Sequence, residues 1–290
     1  MNANTHEICI NLTRRCNLHC SYCYVYDFVN KKNRDMKMDL SLEEIKKKVN
    51  LSSIDGVYLT GGEPFMHPNI TEIIEYFFNN GKKINIATNG LLLNEEMIRF
   101  LNHKNITLLI SLREDYGETF RIINQLKFLE IEVICYHLPS NESPDILSKL
   151  ILECPTVKKI KLLYDSKSPK KATEWFEILY EIFCKVNSYM KDIEITVEIG
   201  FLPKKNAIAV DERRGAFDRI QISTEGLYYY CPLLVSDTEG KNELPPLKCS
   251  PETCPILSKK LDDESFSSVC CFLVTSLENA IKVGKYGGAI

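Results

Sequence analysis

The chain has 290 residues, 44% of them hydrophobic and 26% charged, proportions of an ordinary globular protein that exclude wholesale disorder. Thirty-six Lys and Arg against 39 Asp and Glu leave a net charge of -3, which gives no whole-molecule attraction to nucleic acid or to an anionic membrane. No apolar run approaches the ~18 residues needed to cross a bilayer, and the opening residues carry no basic segment followed by an apolar stretch, so no export signal is read and a cytoplasmic location is expected.

From residue 8 onward, short β-rich runs alternate with helical segments. Residues 8–12 (ICINL) predict a first buried strand, and Ser41 with Glu44 has the spacing of a capping box opening a helix. Residues 57–60 (VYLT) predict the second strand. Asn69 with Glu72 then repeats the capping-box spacing ahead of Ile70, Ile73, Ile74 and Phe77, which recur at helical period. Residues 84–88 are the third strand and Asn94 starts another helix. Strand 106–112, helix 116–129, strand 132–138, helix 144–152 and strand 159–164 follow. Trp175, Ile178, Ile182 and Val186 mark a long sixth helix. Six strand–helix units argue for parallel strands. Six are too few for an eight-fold barrel and leave a doubly wound open sheet or a partial barrel. After residue 190 the alternation stops, and residues 193–202, 217–223 and 227–234 predict an antiparallel meander before a Pro- and Cys-rich tail. A boundary near 192 divides the chain into residues 1–191 and 192–290.

Twelve cysteines in a chain without an export signal point to metal or catalysis rather than disulfides. Cys16, Cys20 and Cys23 stand at C-x3-C-x2-C spacing in the loop after the first strand. Zinc wants four ligands and this motif offers three. Three thiolates on a cubane cluster leave one iron without a protein ligand. A zinc site completed by His19 or a distant cysteine is the alternative, as are plain core cysteines. Gly61, Gly62, Glu63 and Pro64 follow the second strand, and Thr88, Asn89 and Gly90 follow the third. Ser111 ends the fourth strand, with Arg113 just beyond and Arg121 in the next helix. All lie at C-terminal ends of predicted strands, the edge where α/β barrels place their chemistry.

On the stretches INLTRRCNLHCSYCY, LTGGEP, IATNG and LLISL, residues 7 to about 165 resemble the radical S-adenosylmethionine (SAM) enzymes. The resemblance implies an α/β fold with a partial (β/α)6 barrel. It implies that Cys16, Cys20 and Cys23 hold a [4Fe–4S] cluster whose open iron is chelated by SAM. Gly61, Gly62, Glu63 and Pro64 would meet the methionine amine, Ser111 or Arg121 the carboxylate, Asn89 the ribose and Tyr22 the adenine. An electron from a donor such as flavodoxin or ferredoxin would pass through the cluster and cleave SAM to a 5′-deoxyadenosyl radical that takes hydrogen from the substrate. The protein's part is to orient these groups and exclude water. Many relatives carry Ser-Leu-Asp-Gly after the fourth strand, whereas this chain reads Ser111-Leu112-Arg113-Glu114-Asp115.

Residues 218–232 are similar to the first hairpin of the SPASM and twitch extensions, which carry auxiliary clusters. This implies a small C-terminal β-hairpin and Cys-rich extension. A fully ligated cluster takes four thiolates; Cys231, Cys249 and Cys254 would supply three, and Cys270 or Cys271 the fourth. The surplus thiol, Cys271 where Cys270 is the ligand, would then be left to donate a hydrogen atom to a substrate radical, as in one class of peptide epimerases. A zinc knuckle would use the same four thiolates. Residues 185–230 contain no cysteine, where those extensions usually supply one or two.

His137 and Asp165, near the ends of strands five and six, are candidate substrate contacts or proton carriers. Cys9, Cys135, Cys154 and Cys184 read as small buried hydrophobes. His6, His67 and His103 belong to no constellation, and Lys46–Lys48 reads as a solvated helix face. The expected function is radical chemistry on a ribosomal peptide, by epimerisation or cross-linking, with the same chemistry on a nucleotide or sugar as the alternative. A zinc or iron–sulfur binding protein without enzymatic activity is the reading from a different class. Because the first strand begins near residue 8, a short extension or a partner protein would have to recognise a peptide substrate.

Overall fold

Hydrophobic runs broken by polar turns set ten strands and six α-helices among the described residues. A computed structural model describes residues 7–21, 23, 37–102, 104–113, 116–127, 132–163, 172–189, 192–198, 219–222, 228–229, 274–276 and 281. The strands are β1 (Glu7–Thr13), β2 (Gly56–Gly61), β3 (Lys83–Thr88), β4 (Ile106–Leu112), β5 (Glu132–His137), β6 (Lys159–Leu162), β7 (Glu194–Glu198), β8 (Arg219–Ile222), β9 (Tyr228–Tyr229) and β10 (Val274–Ser276). The helices are α1 (Leu42–Lys48), α2 (Ile70–Asn79), α3 (Glu95–Leu101), α4 (Tyr116–Gln125), α5 (Ser143–Glu153) and α6 (Ala172–Val186).

The chain divides into two compact units, one of Met1–Ile110, Phe128–Glu132 and Phe217–Leu247, the other of Ser111–Lys127, Val133–Ala216 and Lys248–Ile290. In the first, the strand order is β4-β3-β2-β1-β8-β9. The pairs β1–β2, β2–β3, β3–β4 and β1–β8 are parallel, and β8–β9 is an antiparallel hairpin. Ile10, Leu12, Leu59, Ile84, Ile86, Leu108 and Ile110 are fully buried, the near-continuous apolar content of strands covered on both faces. Ile45 of α1 and Ile70, Ile73, Ile74 and Phe77 of α2 are buried as well. In the second unit the order is β10-β7-β6-β5, with β5–β6 and β6–β7 parallel and β7–β10 antiparallel. Leu147 and Leu150 of α5 and Trp175, Leu179, Ile182 and Val186 of α6 are buried, and Lys185 of α6 pairs with Asp145 of α5 at 3.0 Å. Among the described residues neither run of strands closes on itself.

Two expectations change. The strands after residue 192 do not form one meander. β7 follows α6 and pairs parallel with β6, while β8 pairs parallel with β1. The reason is visible in the segment itself, where Ile193, Ile195 and Val197 are all buried, so β7 is one more covered strand of the alternation. Of the two capping boxes only the first forms. Ser41 Oγ accepts from Glu44 N–H and the Glu44 carboxylate accepts from Ser41 N–H. The Asn69 amide turns outward to donate to Glu72 Oε1 (3.1 Å), and its own N–H is taken by His67 Nδ1 (3.1 Å). The fourth helix closes at Gln125.

Candidate active site

The loop after β1 is held from beneath by the segment that enters α1. Leu40 N–H donates to Leu12 O, and Arg14 N–H to Met38 O, both at 2.8 Å. Asp39 accepts from Thr13 Oγ1 (2.6 Å) and from Arg15 Nε and Nη2 (3.0 and 2.9 Å). Partial burial alone would raise the Asp39 carboxyl. Its bonds to Arg15 and Thr13 outweigh that and hold it below the usual carboxylate range. His67 closes the same corner with Nε2 on Leu40 O at 3.0 Å. Since Nδ1 accepts, Nε2 carries the proton, and burial holds the ring's pKa below its ordinary value. His67 thus has a structural partner on each nitrogen, a role that its sequence position did not disclose.

The loop after β2 then lies backbone to backbone on the loop after β1. Gly62 N–H donates to Thr13 O and Glu63 N–H to Arg15 O, both at 2.7 Å. Gly61 sits at φ +134°, and a Cβ there would run into the Thr13 carbonyl oxygen; one on Gly62 would run into the Arg15 carbonyl oxygen. Both glycines are required by this approach of two backbones.

Glu63 is buried, at 1% exposure. Its Oε1 accepts from Phe65 N–H (3.2 Å) and Thr88 Oγ1 (2.8 Å), and its Oε2 from Asn89 N–H (2.8 Å). Burial pushes its pKa up, and the three donors act in the opposite direction. Thr88 Oγ1 in turn accepts from Gly90 N–H, and Asn89 Oδ1 from Leu91 N–H. Asn89 Nδ2 donates to Asn17 Oδ1 at 2.8 Å, which ties the loop after β3 to the residue following Cys16. Gly90, at φ +80°, makes the turn.

Cys16, Cys20 and Cys23 are each half-buried on this clamped loop, with Cys23 N–H on Cys20 O at 3.0 Å. Burial raises the Cys16 thiol. The N–H of Leu18, 3.4 Å from its sulfur, works against that rise, and Glu63 and the two neighbouring cysteines add to it. Among the described residues no three His, Cys, Asp or Glu side chains converge where a single ion could sit. The set fits a cubane better, since a cubane offers each thiolate its own iron.

In the second unit, Ser111 is half-buried at the end of β4. Arg121 is exposed and occupied, with Nε and Nη2 on the Glu118 carboxylate at 3.0 and 2.5 Å. Arg113 differs, since its Nε and Nη2 are buried with no hydrogen-bond partner. The signal for Arg113 was in the sequence, directly after the fourth strand, yet only side-chain pairing separates it from Arg121. His137 is buried, with Nε2 2.7 Å from Ser143 Oγ, which also accepts from Ser140 N–H. Burial drives the His137 pKa down to about 4. Cys9, Cys135 and Cys154 are buried and Cys184 is exposed. Burial raises the Cys135 thiol steeply and takes Cys154 up to about 11. Tyr22, Asp165, Cys231, Cys249, Cys254, Cys270 and Cys271 lie outside the described residues.

The three-cysteine loop is thus locked to two strand-end loops of a mostly parallel α/β sheet. Residues 10–127 match the radical SAM superfamily. It is 33% identical over 107 residues to the antilisterial bacteriocin subtilosin biosynthesis protein AlbA of Bacillus subtilis, covering 36% of this chain and 23% of AlbA. It is 30% identical over 144 residues to the GTP 3′,8-cyclase of Aquifex aeolicus, covering 43% of this chain and 44% of the cyclase. The chain therefore spans less than half the length of these relatives. Among solved structures, Streptococcus suis SuiB bound to S-adenosylmethionine superposes with a TM-score of 0.64 at 15% identity, over 89% of this chain and 66% of SuiB. SuiB bound to precursor peptide SuiA gives 0.63 at 15% identity, over 91% and 70%. This likeness is one of fold, and with the family match it decides the architecture as the partial (β/α)6 barrel rather than a doubly wound sheet. The family implies a [4Fe–4S] cluster and SAM.

Gly62→Ala should cost more than about 2 kcal/mol, because a Cβ meets a backbone carbonyl that is itself anchored; urea unfolding of the two proteins measures it. For His137 the folded pKa of about 4 lies below the ordinary 6.5. The folded state thus binds fewer protons between these values, and stability is complete above pH 6.5 and declines as pH falls to about 4. The shift corresponds to roughly 3 kcal/mol, read as the difference between wild type and His137→Gln in unfolding at pH 7 and pH 4.5.

Proposed function

We propose that this chain is a radical SAM enzyme that modifies a ribosomal peptide by epimerisation or cross-linking. The observation that carries the chemistry is the Cys16–Cys23 loop, clamped through Gly62, Glu63 and Asn17 to the loops after β2 and β3. The peptide substrate is supported by the likeness to AlbA, named for the biosynthesis of a bacteriocin, and by the fold of SuiB, which is seen bound to a precursor peptide. When bound, the cluster and SAM supply a reducing electron and a 5′-deoxyadenosyl radical that removes hydrogen from the substrate.

The chain's own residues hold and orient. Cys16, Cys20 and Cys23 each give a thiolate to one iron. The Gly61–Pro64 loop would meet the methionine amine, Asn89 the ribose and Tyr22 the adenine. Ser111 would receive the methionine carboxylate together with Arg113, two of whose guanidinium nitrogens are buried without a hydrogen-bond partner among the described residues, in place of Arg121, which is already paired with Glu118. Cys231, Cys249, Cys254 and Cys270 hold a second [4Fe–4S] cluster in residues 192–290, Cys271 donates hydrogen, and His137 and Asp165 bound the substrate side. A flavodoxin or ferredoxin delivers the electron. The likeness to the GTP 3′,8-cyclase favours a second reading, the same chemistry on a nucleotide.

Anaerobically reconstituted and chemically reduced wild type should form 5′-deoxyadenosine from SAM, read by mass spectrometry, and the Cys16/Cys20/Cys23→Ala variant should form none. That variant should still retain about four irons if the second cluster exists. A precursor peptide that gains or loses mass decides for the peptide, and conversion of GTP decides for the nucleotide. Absence of 5′-deoxyadenosine from wild type removes the enzyme. Separately, Arg113→Met should weaken SAM binding by at least about tenfold, the order expected when a charged hydrogen bond is lost, whereas Arg121→Met should leave it within about twofold; calorimetry under anaerobic conditions distinguishes the two.

A further inference from the structure

We infer that Glu63 is a positioning residue: its carboxylate holds the Thr88–Gly90 turn in place for the nucleoside end of SAM and makes no contact with SAM itself. This rests on the reading above that Asn89 approaches the ribose. A carboxylate two residues past the end of β2, in a loop assigned to a methionine amine, is naturally read as that amine's charge partner. Its surroundings argue otherwise. Only 1% of the residue is exposed, so no face of it is left for a ligand. Both oxygens are already engaged, by Phe65 N–H, the Thr88 hydroxyl and Asn89 N–H.

The three donors leave little freedom in their roles. Thr88 Oγ1 accepts from Gly90 N–H at 2.9 Å, so its proton goes to Glu63. Phe65 and Asn89 present backbone N–H groups, which can only donate. A group that accepts on both of its heads is needed, and an ionised carboxylate is the side chain that does so. In Glu63→Gln one head becomes an NH2. Whichever way the amide turns, that NH2 faces at least one buried N–H donor, which is left without an acceptor. The consequence travels to Asn89, whose backbone N–H sits on Glu63 and whose side chain reaches Asn17 beside Cys16. A loosened turn thus displaces a side chain that joins the nucleoside loop to the cysteine loop.

The test is a double-mutant cycle on the full-length, anaerobically reconstituted protein, using SAM itself as the probe in calorimetry. Glu63→Gln and Thr88→Val should each raise the Kd of SAM by at least about tenfold. The double variant should be no more than about twofold worse than the weaker-binding single, as expected for residues acting as one unit. Thr88→Ser, which keeps the hydroxyl, should restore binding to within about twofold of wild type. In parallel, hydrogen exchange without SAM should speed up at the amides of residues 88–91 in Glu63→Gln while β1 stays protected. The inference is overturned if Thr88→Val leaves the Kd within twofold of wild type, if the two losses multiply in the double variant, or if exchange at 88–91 is unchanged. Should Glu63→Gln not fold, Thr88→Val against Thr88→Ser carries the same decision. A wild type that binds no SAM removes the proposed function instead, and the exchange comparison still reports on whether Glu63 holds the turn.

Discussion

The approach of two peptide backbones, Gly61–Gly62 upon Thr13–Arg15, is the constraint on which the first unit's strand-end geometry depends. Hydrogen bonds of 2.7 Å from Gly62 and Glu63 to the Thr13 and Arg15 carbonyls leave no room for a Cβ on either glycine. Once the loop after β2 is pressed against the loop after β1, the next residue, Glu63, is carried into the interior. A buried carboxylate is costly unless it is fully hydrogen-bonded, and the donors it finds are those of the loop after β3. Three consecutive strand ends are thereby joined by groups each of which satisfies another.

The same logic explains why the cysteine loop is held on its far side by residues 37–40. A half-buried run with three thiols has few apolar contacts to order it. Its definition comes from Leu40 and Met38 backbone pairing, from the Asp39 carboxylate shared by Thr13 and Arg15, and from His67 on the Leu40 carbonyl. An exposed ion pair such as Arg15–Asp39 contributes little alone; its value here is that Thr13 Oγ1 bonds both Asp39 and Arg15 N–H, which sets the course of the chain just before Cys16.

Much of the architecture was legible in residue order. The six apolar runs became β1–β6 within a residue or two, because strands covered on both faces need uninterrupted Val, Ile and Leu. Ile70, Ile73, Ile74 and Phe77 became the buried face of α2. The Asn69–Glu72 box failed for a local reason, since His67 two residues earlier captured the N–H that the box requires. The run after residue 192 was misread as a meander because its period-two alternation says which residues are inward and nothing about which neighbour a strand pairs with.

By itself, the sequence determined that this is a chain of alternating strands and helices with a three-cysteine loop and two glycine-marked loops at strand ends, because hydrophobic period and motif spacing are local properties. Only the tertiary structure decided which polar groups those loops use up. Glu63 is consumed by Phe65, Thr88 and Asn89, Arg121 by Glu118, and His137 Nε2 by Ser143, while among the described residues Arg113 keeps two buried nitrogens, and His137 its Nδ1, without a hydrogen bond. The two arginines that follow β4 thus differ in what remains open to a ligand. That difference is set by burial and by hydrogen-bond partners 2 to 26 residues away in sequence, which the order of residues alone does not record.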